Sequence, residues 1–425
     1  MNMKKLVVYS HDTFGLGNIK RMLAITQQLL DTIPDLSVLL ISGSPVIHHF
    51  SLPEKRFDYL KLPCLGRTVK GEYTVKRLGT QFDELVAVRT QIIQATVANF
   101  DPDIILVDKK PRGIADELLP TLELVRGKSK QTQVVLLLRD ILDDPETTSR
   151  IWLNNDYFRS IERYYNSILV MGEPKVFDVG KEYRFPESAV KKLEYCGYTR
   201  RPRSDIGLEL TKLFPQGERP RVLVTAGGGE DGFELLKTYL TGISINNDSG
   251  GVTSIIVTGP EMSMQNRNEI YQTSARLEHV QTIEFTPNLM EYMRNADLII
   301  SMAGYNTIVE ILSMNKRAVV VPRVKPVHEQ LIRAKRLEQL GLLTCVSPTE
   351  LTPQRLLSAV SDQLSMRAAP IDSVRSINFN GLPNLTGQFK RLFDDCSSKT
   401  EPINSHAIKP VIPYYLPGAS ACLAS

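Results

Sequence analysis

Short runs of valine, isoleucine and leucine alternate with stretches whose apolar residues recur at helical spacing, from about Lys5 to Val346. Runs this continuous mark strands covered on both faces, and their alternation with helices predicts parallel sheets in α/β layers. In the first half the strands expected are Lys5–Ser10, Ser37–Ser42, Phe57–Leu62, Asp103–Val107, Gln133–Leu138 and Ser167–Met171. In the second half they are Arg221–Thr225, Val252–Thr258, Val280–Phe285, Asp297–Ser301, Arg317–Val321 and Leu342–Val346. A helix is expected over Leu78–Phe100, its apolar Phe82, Leu85, Val86, Ile92 and Ile93 packed on a sheet.

The alternation breaks once, over Tyr195–Gly217, where prolines and arginines cluster. A linker there divides the chain into a first domain (1–198), a connection (199–219) and a second domain (220–364). A helical segment (365–396) and a poorly ordered, proline-rich tail (397–425) follow. At 425 residues the chain is too long for one ordinary core, so two domains are expected on size as well.

Two glycine-rich turns join an expected strand to a helix. In HDTFGLGNIKR (11–21), Gly15 and Gly17 let backbone approach a ligand, but a dinucleotide fingerprint needs glycine where Lys20 stands. A tight turn needing small residues explains this loop equally well. In the second turn, Gly227, Gly228 and Gly229 follow the first strand of the second domain and offer N–H groups suited to a diphosphate. Glu230 and Asp231 beside them are expected to face solvent, and no Lys-Ser/Thr pair of a P-loop follows.

The most informative stretch is Ser301–Arg336, where two buried strands end and two helices begin, at Gly304-Tyr305-Asn306-Thr307 and at Val327-His328-Glu329-Gln330. Ligands in open α/β sheets bind at carboxyl ends of strands, and helix N-termini attract anions. Thr307 and Glu310 also have the T-x-x-E spacing of a capping box, a structural explanation for both. In the first domain, Asp108, Lys109, Lys110 and Arg112 follow a buried strand. Asp140, Asp143 and Asp144 follow another and read as solvated loop charges.

Composition narrows the class. With 42% hydrophobic and 23% charged residues the chain is globular, and a net charge of +4 falls short of a nucleic-acid footprint. It suits an anionic small ligand or a transient contact with an acidic membrane surface. Five cysteines without a C-x-x-C pair point to neither a zinc site nor a disulfide framework. With no signal-like N-terminus and no membrane-spanning run, a cytoplasmic location is expected, at most peripheral to a membrane.

The ordered series of GGG after a strand, T-x-N-x-x-x-Y-M near Phe285, ADLIISMAGYNTIVE, and PR followed by HEQ-x-x-R-A resembles the MurG-like glycosyltransferases of the GT-B fold. HDTFGLGN, PDIILVDKKPRG, VMGEP and IVTGPEM place it nearest a group of predicted bacterial glycosyltransferases. The resemblance implies two Rossmann-like doubly wound domains facing each other across a cleft. It implies that Gly227, Gly228 and Gly229 hold the donor diphosphate with Gly304, Asn306 and Thr307. Phe285 and Thr286 would meet the base, Glu310 the ribose, and Glu329 and Gln330 the sugar.

The implied activity is inverting transfer of a hexosyl group from a nucleotide-diphospho-sugar, UDP-linked, to an acceptor hydroxyl, lipid-linked or small, with no metal and no cofactor. One departure stands out. The family's first glycine loop commonly ends in a histidine fit to deprotonate the acceptor, and here that position is Asn18, which cannot act as a base. His11, Asp12 or Asp108 would then take the proton. The alternatives are a same-fold epimerase or hydrolase, and a sugar-nucleotide binding protein without turnover.

Overall fold

The computed structural model describes residues 3–10, 17–68, 72–128, 131–200, 214, 218–245, 251–366, 374 and 376–398. The first domain contributes β1 (Lys4–Ser10), β2 (Leu36–Ser42), β3 (Phe57–Lys61), β4 (Leu65–Arg67), β5 (Tyr73–Val75), β6 (Ile104–Asp108), β7 (Gln133–Arg139), β8 (Ser167–Met171) and β9 (Leu193–Tyr195). Seven of them form one parallel sheet in the order β3-β2-β1-β6-β7-β8-β9, and β4 and β5 form a separate antiparallel pair. The second domain has β10 (Arg221–Thr225), β11 (Thr253–Val257), β12 (Val280–Ile283), β13 (Leu298–Ser301), β14 (Arg317–Val320) and β15 (Thr344–Cys345), ordered β12-β11-β10-β13-β14-β15.

Both sheets are doubly wound, and in each the strand order reverses beside the first strand: between β1 and β6, and between β10 and β13. That is the switch point at which crossover helices diverge to opposite faces and open a crevice at the carboxyl ends. Alternation along β1 shows why both faces are apolar. Val7 and Tyr9 join a core with Ile93 and Val97 of the Phe82–Phe100 helix, while Leu6 and Val8 join another with Met22, Ile25 and Leu29 of the Gly17–Thr32 helix.

Several expectations need correction. The expected Leu78–Phe100 helix starts at Phe82, because Gln81 and Glu84 form a capping box that ends the preceding loop. Phe57–Leu62 is not covered on both sides: β3 is the sheet's edge and its residues are only half-buried or exposed. Short β4, β5 and β9 carry no long apolar run and give no signal in the sequence. The tail beyond Ser398, and most of the linker, lie outside the described residues.

The Gly381–Ser398 helix returns from the second domain to cover the first sheet, where Leu385, Phe389 and Phe393 are fully buried beside Leu6 and Val8. Its Asn384 Nδ2 donates to Cys196 O at 2.8 Å. The two chain passages between the domains run side by side: Tyr198 N donates to Asn378 O at 2.8 Å, and Thr199 bridges to Asn380.

Across the boundary, Arg333 of the second domain forks onto Asp140 of the first, with Nε and Nη2 at 3.0 and 2.9 Å from its two oxygens and both side chains inaccessible. Burial alone would weaken the charge on Arg333, but Asp140 outweighs it and the guanidinium is held more firmly protonated than usual. Asp140 is therefore an interdomain anchor and not a solvated loop charge. Tyr198 Oη donates to the same carboxylate at 3.2 Å, and Tyr305 Oη donates to Met171 O at 2.9 Å.

Candidate active-site cleft

A cleft of about 890 Å³, counting the open solvent at its mouth, lies between the carboxyl ends of the two sheets. One wall carries the Thr225–Asp231 turn, Glu261, and Met302 with Gly304–Thr307; Arg21 and Arg139 face it from the first domain, and Arg323 and Gln330 complete it. The sequence-derived residues that converge here are Gly227, Gly228, Gly229, Gly304, Asn306, Thr307 and Gln330.

The Tyr305–Ser313 helix opens with Gly304 as N-cap and no capping side chain. Thr307 is its third residue and Glu310 its sixth, so the T-x-x-E spacing falls inside the helix and the capping-box explanation is set aside. The N–H groups of the first turn have no intrahelical acceptor and lie at the cleft, where they could receive an anion. Asn306 is exposed there and Thr307 half-buried. Tyr305 is buried and anchors the turn to the first domain.

The glycine turn offers fewer free donors than its sequence suggests. Gly227 N donates to Thr225 Oγ1 and Gly229 N to Ala226 O, both at 3.3 Å. Gly229 has φ +104, and a Cβ there would stand 2.5 Å from Thr258 O; at Gly228 it would meet the Glu261 carboxylate at 2.5 Å. Close packing of this turn on the 258–262 loop thus accounts for two of the three glycines. Glu230 and Asp231 are exposed to solvent, as expected, and also line the open cleft, where Arg323 Nη1 donates to Asp231 Oδ2 at 2.8 Å.

Three arginines line the cleft, each beside a carboxylate. Arg21 Nη2 lies 2.6 Å from Asp108 Oδ1, Arg139 Nη2 3.3 Å from Glu329 Oε2, and Arg323 pairs with Asp231. Asp108 is inaccessible behind Arg21, and its Oδ2 accepts no hydrogen bond among the described residues. Glu329 is buried; burial alone would raise its pKa, but Arg139, Arg333, Lys109 and Arg323 outweigh that and hold the carboxyl below its usual range. Burial, aided by Arg139, pushes the Lys109 amine down to about 8, against the opposing pull of Glu329 and Asp108.

Phe285, Thr286, Glu310, Glu329 and Asp108 are not among the residues lining the cleft. Phe285 is 64% exposed, and Glu310 is buried in the Tyr305–Ser313 helix. His11, Asp12 and Gly15 lie outside the described residues; Gly17 and Asn18 open the Gly17–Thr32 helix, with Asn18 half-buried. Arg21, Arg139, Arg323 and Glu261 were not assigned from sequence. Arg21 and Arg323 sit inside the two motifs already singled out, so position after a strand end was the available signal.

Beside the cleft, Asp143, Asp144 and the exposed His328 bring potential metal-ligand atoms within 4.8 Å of one another. Asp143 Oδ1 accepts from the His328 and Asp144 N–H groups at 2.9 and 2.8 Å, and Asp144 Oδ1 caps the Pro145–Asn154 helix through Thr147 N at 2.9 Å. Among the described residues no helix is long and apolar enough to cross a membrane.

Residues 222–381 match the glycosyltransferase family 28 C-terminal domain. An uncharacterized glycosyltransferase of Methanopyrus kandleri is 27% identical over 155 residues, 35% of this chain and 40% of that relative, so the match spans under half of it. A UDP-N-acetylglucosamine–N-acetylmuramyl-(pentapeptide) pyrophosphoryl-undecaprenol N-acetylglucosamine transferase of Clostridioides difficile is 20% identical over 372 residues, 86% of this chain and 83% of the relative. Among solved structures, the MurG of Acinetobacter baumannii superposes with a TM-score of 0.61 at 14% identity, over 91% of this chain and 99% of that one.

Proposed function

We propose that this chain, a MurG-like glycosyltransferase of the GT-B fold, moves a hexosyl group from a UDP-linked sugar to an acceptor hydroxyl with inversion and without a metal. The observation that carries this reading is the convergence of the glycine turn, the uncapped start of the Tyr305–Ser313 helix and Gln330 on one cleft between two doubly wound domains. Donor and acceptor would enter from opposite walls.

In the proposed step the acceptor oxygen attacks the anomeric carbon, its proton passes to a base, and the bond to the diphosphate breaks with UDP leaving. Helix-terminal N–H groups at Gly304–Thr307 stabilise the charge that builds on the leaving group. Because Asn18 cannot take the proton, the base is sought in His11, Asp12 and Asp108; of these Asp108 is described, inaccessible behind Arg21 and with no partner for Oδ2 among the described residues, so it could act only once Arg21 moves aside. A lipid-linked acceptor fits the pyrophosphoryl-undecaprenol in the C. difficile relative's name.

Release of UDP from a panel of UDP-hexoses, with and without hydroxyl acceptors, tests the reading. Acceptor-dependent release is expected, reduced by Gln330→Ala, whose side chain lines the cleft. Release or epimerisation from donor alone favours an epimerase or hydrolase, and no binding of any UDP-sugar together with an inert Gln330→Ala sinks the proposal. If donor binds without turnover, Asn18→His restoring transfer would mark a binding protein that lost its base.

A further inference from the structure

Of the four arginines whose Nε is buried without an acceptor among the described residues, Arg21, Arg139, Arg267 and Arg323, three line the cleft. The Arg21 side chain is only 9% exposed and Arg139 19%, so water does not readily replace a missing acceptor. In each, one Nη nitrogen is paired with a carboxylate, while the Nε–H is left over. A buried donor without an acceptor is costly, and one guanidinium edge matches two oxygens of a phosphate.

The opposite wall makes the need plain. Glu230, Asp231 and Glu261 line the same cleft and would repel an anion. Of the three glycine N–H groups two are committed within their turn. The glycine turn and helix start alone therefore face a diphosphate across three carboxylates. The three arginines offset those charges and add directed donors.

We infer that Arg21, Arg139 and Arg323 form a clamp of three guanidinium groups on the diphosphate of the nucleotide-sugar, gripping it from the first domain as well as the second. The inference rests on the donor reading above. As the anomeric bond breaks and its electron pair moves onto the diphosphate oxygen, the clamp stabilises the added charge. Arg21 and Arg139 act in donor binding although they stand on the acceptor-side domain.

Calorimetric titration of UDP, inorganic pyrophosphate and uridine into the wild type and into Arg21→Lys, Arg139→Lys and Arg323→Gln tests the clamp, with circular dichroism confirming the fold. Arg323 is the safest position, being 32% exposed. Each variant is expected to weaken UDP and pyrophosphate by about tenfold or more and leave uridine unchanged, lysine failing because it lacks the planar fork. Undiminished anion binding in the variants, or no binding of either anion by the wild type, overturns the clamp. If pyrophosphate follows the arginines while UDP binds no better than pyrophosphate, the clamp stands and the nucleotide reading fails. If UDP binds and the variants do not matter, the reverse holds.

Discussion

Replacing Asp140 with alanine should uncouple the two domains. The substitution removes the acceptor of Arg333 Nε and Nη2 and of Tyr198 Oη, at 3.0, 2.9 and 3.2 Å, and leaves the Arg333 guanidinium inaccessible with, among the described residues, only Ala303 O, at 3.1 Å, to accept from it. Breaking a buried ion pair from one side costs about 3–5 kcal/mol, mostly as the penalty of the uncompensated charge. Urea unfolding can follow the loss with two probes. Fluorescence of the single tryptophan, Trp152, reports the first-domain core, and far-ultraviolet dichroism reports both domains. The transitions should coincide in the wild type and separate in Asp140→Ala. Adding Arg333→Met should restore part of the stability, since the orphaned charge is gone. A loss below about 1 kcal/mol with coincident transitions, or a double variant as unstable as the single one, would refute the reasoning.

Other outcomes follow from the same structure. Lys109 titrates near 8 in the folded chain against an ordinary value of 10.5, so the unfolded chain binds more protons between those values and stability rises with pH across that window. Below about pH 8 the full cost, on the order of 3 kcal/mol, is present, and Lys109→Met should remove this group's upward contribution to the slope between pH 8 and 10.5, read as the difference from wild type in urea titrations; a slope unchanged by the substitution contradicts the assignment. Gly229→Ala, at φ +104 with Thr258 O in the way, should cost more than Gly227→Ala, at φ +67 with open space around it, which should cost about 1 kcal/mol; equal melting temperatures would contradict this. Leu385→Ala, in the returning C-terminal helix, should destabilise by about 2–5 kcal/mol as judged by tryptophan fluorescence of the first domain, and a negligible effect would show that this helix is not part of that core.

The doubly wound domains were legible because strands such as β1, β6 and β7 are buried almost throughout, which leaves a continuous apolar run. β9 and the β4–β5 pair were not, since three-residue strands carry no period. The return of the Gly381–Ser398 helix to the first domain is a long-range event that its amphipathic sequence does not specify. At the site, strand ends and glycines located the cleft, yet the partner of each charge could not be read from one chain segment. Asp140 meets Arg333 across 193 positions, and Arg323 meets Asp231 across 92. Glu310 shows the reverse case: its spacing from Thr307 imitated a cap that the Gly304 start of the helix excludes.

The most direct measurement of the central claim is titration of UDP and a panel of UDP-hexoses into the full chain with a chelator present. The account predicts saturable 1:1 binding of UDP, competition between UDP and at least one UDP-hexose, and no requirement for a divalent cation. Absence of binding by UDP and by every UDP-hexose, or binding that appears only when a divalent cation is restored, would contradict it.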